Sequence, residues 1–227
     1  ITNYFGDGKK LDVSLNYVRA EADYGTAGSL RNAAEYLNDR FIVISGDVLT
    51  DFDLTKAIQF HEEQKAKVTI VLTRVPNPLQ FGVVITDDEG NITRFLEKPS
   101  WGEVFSDTIN TGIYIIEPDV LNLIPYREEF DFSNNLFRLL MEQKAKLCGY
   151  IAEGYWRDIG TLNEYQEAHF DCLSRRVKVG FSGIENGYHF IGIGTEIKSK
   201  WEFLSGTVVI GENCKIAENV RISNSVL

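Results

Sequence analysis

Two carboxylates on separate loops are the residues of this 227-residue chain best suited to hold a divalent metal. Asp47 ends the phrase Ser45-Gly46-Asp47, directly after the apolar run Phe41-Ile-Val-Ile44. Such a run predicts a buried strand, and open α/β sheets bind ligands outside the carboxyl ends of their strands. Asp158 sits in Trp156-Arg-Asp-Ile-Gly160, where Gly160 allows close backbone approach. Mg2+ takes oxygen ligands and keeps waters and phosphates in its shell, so one carboxylate from each loop makes a workable pair. Each aspartate also has a plain structural reading, as a turn or loop residue.

Further polar residues sit at predicted strand edges. Glu97-Lys98-Pro99 follows a strand. A lysine there can neutralise a phosphate as a point charge, and a glutamate can accept hydrogen bonds from sugar hydroxyls. An exposed Glu-Lys pair is the bland alternative. Asn110, Thr111 and Gly112 open another strand, and an asparagine both donates and accepts, which suits hydroxyl recognition. Gly25, Thr26, Ala27 and Gly28 precede a helix, where backbone N–H groups can face a base or a phosphate, or simply begin the helix.

Other chemistries are not written in the chain. No G-x-x-x-x-G-K-[ST], G-x-G-x-x-G or G-x-S-x-G pattern occurs, and His61-Glu-Glu-Gln-Lys65 is not H-E-x-x-H. His61, His169 and His189 are too scattered for a histidine metal cluster. The net charge of −10 argues against a nucleic-acid groove. No apolar run approaches the roughly 20 residues of a membrane span. The opening Ile1-Thr-Asn-Tyr-Phe-Gly-Asp7 does not read as a signal peptide. Cys148, Cys172 and Cys214 form no CxxC pair, so reduced thiols in a cytoplasmic protein are expected.

The elements that must position these residues alternate over 1–176. A helix is expected from Ser29 to Leu37, with Leu30, Ala33, Ala34 and Leu37 on one face. Asp53 reads as the N-cap of a helix to about Lys65, and Lys67–Thr73 as a strand. Gly82–Thr86 and Ile92–Leu96 flank a turn and predict a hairpin. The strand Gly112–Ile116, a helix capped by Ser133, and the strand Leu147–Ile151 follow. Thr161 and Glu164 have the capping-box spacing of a helix running to about Leu173. The succession predicts a mostly parallel, three-layer α/β domain.

Beyond Val177 the texture changes. Ile210-Gly-Glu-Asn-Cys-Lys, Ile216-Ala-Glu-Asn-Val-Arg and Ile222-Ser-Asn-Ser-Val-Leu repeat every six residues, each led by isoleucine. Residues 177–227 therefore predict a hexapeptide-repeat left-handed parallel β-helix. Ile193–Ile197 and Leu204–Val209 are expected as less regular rungs. The last rung needs covering, so a homo-oligomer formed through the β-helix is expected.

In order, Gly25-Thr-Ala-Gly28, Ser45-Gly-Asp47, Phe81-Gly-Val-Val84, Phe95-Leu-Glu-Lys-Pro99, Asn110-Thr-Gly-Ile-Tyr114 and Trp156-Arg-Asp-Ile-Gly160 resemble the motifs of nucleotide-sugar pyrophosphorylases. The hexapeptides that follow extend the resemblance over essentially the whole chain. It is most similar to mannose-1-phosphate guanylyltransferases, above all the bacterial type fused to a phosphomannomutase-like domain. The segment Phe95 to Asp107 carries much of that closer match.

The resemblance implies a Rossmann-like three-layer nucleotidyltransferase domain. It also implies transfer of a nucleotidyl group from a nucleoside triphosphate to a sugar 1-phosphate, with GTP and mannose 1-phosphate favoured. Asp47 and Asp158 would hold Mg2+, and Lys98 would contact the sugar phosphate. Glu97 and Asn110 would bind sugar hydroxyls, Gly82 would admit the sugar, and Gly25 to Gly28 would border the base. Glucose 1-phosphate with another nucleotide, or a non-catalytic regulatory subunit of similar plan, stay open. The family's G-x-G-T-R triphosphate loop does not occur in these residues. Against that pattern the chain reads as truncated at its N-terminus, and inactive by itself.

Overall fold

The computed structural model describes residues 1–100, 102, 106–198 and 204–227. Trp101 and residues 103–105, inside the Phe95-to-Asp107 motif, lie outside the described residues, as do 199–203. In chain order the helices are α1 (Thr2–Phe5), α2 (Gly25–Arg31), α3 (Leu54–Gln64), α4 (Phe137–Glu142) and α5 (Leu162–Leu173). The strands of the first part are β1 (Phe41–Ile44), β2 (Val48–Thr50), β3 (Val68–Arg74), β4 (Gly82–Thr86), β5 (Ile92–Glu97), β6 (Thr108–Ile116), β7 (Leu147–Ile151) and β8 (Trp156–Asp158). β9 (Gly183–Asn186), β10 (His189–Gly192), β11 (Glu196–Ile197), β12 (Leu204–Ile210), β13 (Lys215–Ile216) and β14 (Ile222–Val226) follow. The chain forms two compact units, one of 1–43 with 56–151 and one of 44–55 with 152–227.

The first unit is built on a sheet of order β5-β4-β6-β3-β7, with β1 also paired to β6. The expected mostly parallel sheet is not found. β3 pairs β6, and β4 pairs both β5 and β6, antiparallel; β3 pairs β7 in parallel. The physical reason is the hairpin. Asp87 closes the β4–β5 turn by accepting the N–H groups of Glu89 and Asn91, and so short a connection permits only antiparallel neighbours. β3 lies between β6 and β7 and is buried along six of its seven residues, which explains its run of β-branched and apolar residues. β1, expected to be buried, alternates instead. Phe41 and Val43 pack on the core, while Ile42 and Ile44 are 37% and 49% exposed, because only one face of β1 meets core side chains.

Three local expectations also shift. The helix expected from Ser29 begins at Gly25 and gives way after Arg31 to a short 3-10 turn, Ala34–Tyr36. β6 starts at Thr108, so Asn110 lies inside a strand rather than at its start. Asp131, not Ser133, caps the next helix, accepting from the N–H groups of Ser133 and Asn134; its first turn, Phe132–Leu136, is a π-helix. Asp131 stands where its carboxylate reaches the N–H groups two and three residues on, whereas Ser133 is already inside the first turn.

In the second unit β2 and β8 form an antiparallel pair. Thr161 caps α5 by accepting from the Glu164 N–H at 3.2 Å. The strands beyond 177 stack in parallel: Ile191 pairs Ile210, Ile197 pairs Ile216 and Leu204 pairs Ile222. Ile191, Val208, Ile210 and Ile222 form one apolar cluster, joined by Ile197, Cys214, Ile216 and Val220. β9 departs from this pattern by pairing antiparallel with β10.

Candidate functional site

The first unit gathers most of the polar residues singled out in the sequence. At the start of β4, Gly82 lies opposite Glu97 at the end of β5. A Cβ on Gly82 would stand 3.0 Å from Glu97 Oε2 and 2.8 Å from the Phe95 ring, so the glycine makes room for that carboxylate. Burial pushes the Glu97 carboxyl up; the Lys98 charge opposes this, Asp131 adds to it, and a hydrogen bond with Ser133 lowers it again. Lys98 is exposed and has φ +44, a left-handed backbone directly before a proline. For a lysine this conformation is strained, by roughly 1–3 kcal/mol, and such strain concentrates at functional positions.

Asn110, Thr111 and Gly112 form a bulge in β6. Leu72 pairs Asn110 and Val71 pairs Ile113, which leaves Thr111 and Gly112 as the extra residues. Gly112 has φ +76, and its N–H donates to Asn110 Oδ1 at 3.0 Å. Thr111 donates to the Val71 carbonyl at 2.7 Å. Asn110 Nδ2 donates to the Tyr114 hydroxyl at 3.0 Å, so each end of the amide keeps one further hydrogen-bonding position. Burial holds the Tyr114 phenol at about 12, with Asp131 and Glu97 pushing the same way.

The glycine turn at α2 is tied to the loop before α4. Gly25 N–H donates to Asp23 at 3.0 Å and Gly28 N–H to the Phe130 carbonyl at 2.8 Å, so these two amides are already bound within the chain. Added Cβ atoms would come within 2.9 Å of the Phe130 carbonyl at Gly25 and 2.6 Å of the Glu128 carbonyl at Gly28. The glycines therefore serve close packing between two backbone segments. Thr26 Oγ1 donates to Asp131 Oδ2 at 2.7 Å and accepts from the Phe132 N–H at 3.1 Å.

The second unit holds Gly46, Asp47, Asp158 and Gly160. Val48 pairs Asp158, and Ile159 N–H donates to the Asp47 carbonyl at 2.8 Å, so the β2–β8 ladder locks the two acidic loops together. Gly46 is exposed, with nothing within 4 Å of an added Cβ; at Gly160 that atom would lie 3.6 Å from Asp158 Oδ2. Burial pushes the half-buried Asp158 carboxyl up, and the charges of Asp47 and Glu164 push it further. Nearby, Asp171 is 2% exposed and accepts from Tyr155 Oη, Arg157 Nη2 and Arg176 Nη1 at 2.7, 2.8 and 2.8 Å. Glu164, expected to complete a capping box, pairs with Arg157 instead. Asp51 is structural: it accepts from the Tyr155 and Lys178 N–H groups at 2.7 and 2.9 Å, and the first of these bonds leads in lowering its carboxyl.

The cluster and the acidic pair belong to separate units. Asp131 and Asp171 take part in these networks without having been singled out in the sequence, as do Tyr114, known there only as part of a motif, and Ser133, expected only as a helix cap; the place of Asp131 before a helix is the signal that could have marked it. Residues 1–175 match the family model described as nucleotidyl transferase. The chain belongs to the nucleotidyl transferase family.

Within that family the chain is 36% identical over 241 residues to a UTP–glucose-1-phosphate uridylyltransferase of Synechocystis, covering 98% of the chain and 61% of the relative. It is 33% identical over 225 residues to a mannose-1-phosphate guanylyltransferase of Mycobacterium tuberculosis, covering 98% and 62%. It thus spans about three-fifths of the length of these relatives. The fold is shared with a putative glucose-1-phosphate thymidylyltransferase from Bacillus anthracis, solved with sucrose, at a TM-score of 0.66 and 26% identity over 80% of this chain and 72% of that one. The nucleotidyl transferase fold here is thus mixed α/β.

Proposed function

We propose that this protein transfers a nucleotidyl group from a nucleoside triphosphate to a sugar 1-phosphate, releasing pyrophosphate, with GTP and mannose 1-phosphate as its substrates. The observation that carries the reading is the Asp47–Asp158 pair on a locked β2–β8 ladder, within a chain of this family. A half-buried Asp158 carboxyl whose cost of ionisation the Asp47 charge raises suits a divalent cation, which relieves that cost. The donor set fits Mg2+, which would be held by Asp47 and Asp158 and completed by waters and phosphates. When bound, Mg2+ neutralises charge on the phosphates.

The chain's own residues do the rest. A sugar phosphate oxygen is already a nucleophile, so no side-chain base is required. Lys98 binds the sugar phosphate and offsets its charge. Glu97 and Asn110 orient the sugar through its hydroxyls, with Gly82 leaving room for the Glu97 carboxylate beside the backbone. The 25–28 turn borders the base. Alignment of this kind supplies roughly 7–11 kcal/mol of a barrier. Residues 1–176 are read as the nucleotidyltransferase domain, and 177–227 as a hexapeptide left-handed β-helix through which copies associate. The parallel pairing of Ile191, Ile197 and Leu204 with residues further along the chain supports that reading. Light scattering tests the association: a strict monomer at micromolar concentration contradicts it.

A second reading, UTP with glucose 1-phosphate, is favoured by the 36% identity to the Synechocystis relative. A panel of nucleoside triphosphates against sugar 1-phosphates, given to the complete gene product and read by pyrophosphate release with Mg2+, decides between them. No release with any pair would overturn both and favour a non-catalytic subunit.

A further inference from the structure

Resting on the reading of Asn110 as a sugar ligand and of the 25–28 turn as the edge of the base site, we propose that Asp131 is a positioning residue that couples the two. Its carboxylate is shared between both sides. Oδ2 accepts from Thr26 Oγ1 at 2.7 Å, fixing the glycine turn. Oδ1 accepts from the N–H groups of Ser133 and Asn134 at 2.9 and 3.0 Å, fixing the π-helical turn. Phe132, in that turn, packs on Tyr114, whose hydroxyl accepts from Asn110 Nδ2 at 3.0 Å.

Other contacts make the connection stiff. The Thr26 hydroxyl also accepts from the Phe132 N–H at 3.1 Å, Asn135 Oδ1 accepts from the Asp131 N–H at 2.8 Å, and the Phe130 N–H donates to the Tyr24 carbonyl at 2.9 Å. Phe132 is buried against Tyr114, with ring centroids 4.7 Å apart. The path Thr26–Asp131–Phe132–Tyr114–Asn110 therefore consists of packed rings and paired polar groups. π-helical turns recur at functional sites, and this one sets Phe132 against Tyr114. A ligand that orders the glycine turn thereby orders Asn110, and the reverse holds by linkage. Thr26 thus influences affinity for the sugar while lying in the turn assigned to the base.

The test measures binding of mannose 1-phosphate alone, GMP alone, and each in the presence of the other, by calorimetric titration of the full chain. Wild type, Thr26→Val, Thr26→Ser and Asp131→Asn are compared, with melting temperatures recorded for each. Valine keeps the shape and removes both hydroxyl bonds, whereas serine keeps them. The expected result is a loss of about tenfold in mannose 1-phosphate affinity in Thr26→Val, and loss of the mutual enhancement between ligands. Thr26→Ser is expected to restore both, and Asp131→Asn to weaken both ligands, since an amide supplies one acceptor where the carboxylate supplies two. Wild-type affinity for mannose 1-phosphate in Thr26→Val overturns the coupling while leaving the transferase reading intact. Equal losses in the valine and serine variants, following a lowered melting temperature, reduce Thr26 to a fold contact and also overturn it. A wild-type protein that binds neither ligand overturns the transferase reading and the coupling with it.

Discussion

Replacing Asp171 with alanine tests how the acidic pair is held in place. Its carboxylate is almost fully buried and accepts three hydrogen bonds, one from Tyr155 and two from the guanidinium groups of Arg157 and Arg176. Arg157 lies on β8 beside Asp158, donates to Tyr155 Oη at 2.8 Å and pairs with Glu164. Deleting one partner of a buried ion pair costs about 3–5 kcal/mol. That range is reduced here because water reaches both cations. The Arg157 side chain is 25% exposed and keeps Glu164 and Tyr155; the Arg176 side chain is 69% exposed and loses little. The expected cost is therefore about 2–3 kcal/mol. At about 2–4 °C per kcal/mol for a chain of this size, the melting temperature should fall by about 4–12 °C. Thermal melts at neutral pH and moderate salt read this directly, and Asp171→Asn, which keeps an acceptor, should lie in between. A drop below about 2 °C in the alanine variant would refute the idea that Asp171 anchors β8.

Three further outcomes are expected. In Gly82→Ala the new methyl meets the core-packed Phe95 ring at 2.8 Å and the Glu97 carboxylate at 3.0 Å, so both must shift: the melting temperature should fall by several degrees and KM of the complete gene product for the sugar phosphate should rise about tenfold; an unchanged KM contradicts the placing of Glu97. Burial pushes His61 below its usual range, although Glu117 opposes this, so the folded state prefers the neutral ring, which contacts Thr69 at 2.8 Å. As pH falls past about 6.5 the unfolded state protonates first, so stability is full above that pH and is lost as pH drops toward the depressed value; His61→Gln should flatten melting temperature against pH in this window. Thr161→Ala removes the cap of α5 and should cost about 1 kcal/mol in a denaturant titration, and an unchanged midpoint would deny the cap any energetic weight.

The elements with local signals were legible in the chain. The β4–β5 hairpin, the Asp53 and Thr161 helix starts, and strands β3 and β7 announced themselves through turn residues, caps and apolar runs. Strand direction did not, because it depends on which distant strands pair. The half-exposure of β1 was hidden for the same reason: four apolar residues state hydrophobicity, while burial depends on what packs on each face. Among the site residues, Asn110-Thr-Gly112 was visible as a motif but not as a bulge, since a bulge exists only against its partner Val71–Leu72. The glycines at 25, 28 and 82 read as room for a ligand, and the structure gives each an intramolecular neighbour that also demands it. Beside their local partners, Asp131 reaches Thr26 and Asp171 reaches Arg157, each more than a dozen residues away, which no local pattern encodes.

The central claim is that Asp47 and Asp158 hold the metal for nucleotidyl transfer. The most direct measurement is pyrophosphate release from GTP and mannose 1-phosphate by the complete gene product as Mg2+ is titrated, with wild type set against Asp158→Asn. The account predicts Mg2+-dependent release by the wild type and a loss of about a hundredfold or more in the variant, as expected when a charge-stabilising group is removed. Equal rates in the two proteins, with the same Mg2+ dependence, would contradict it.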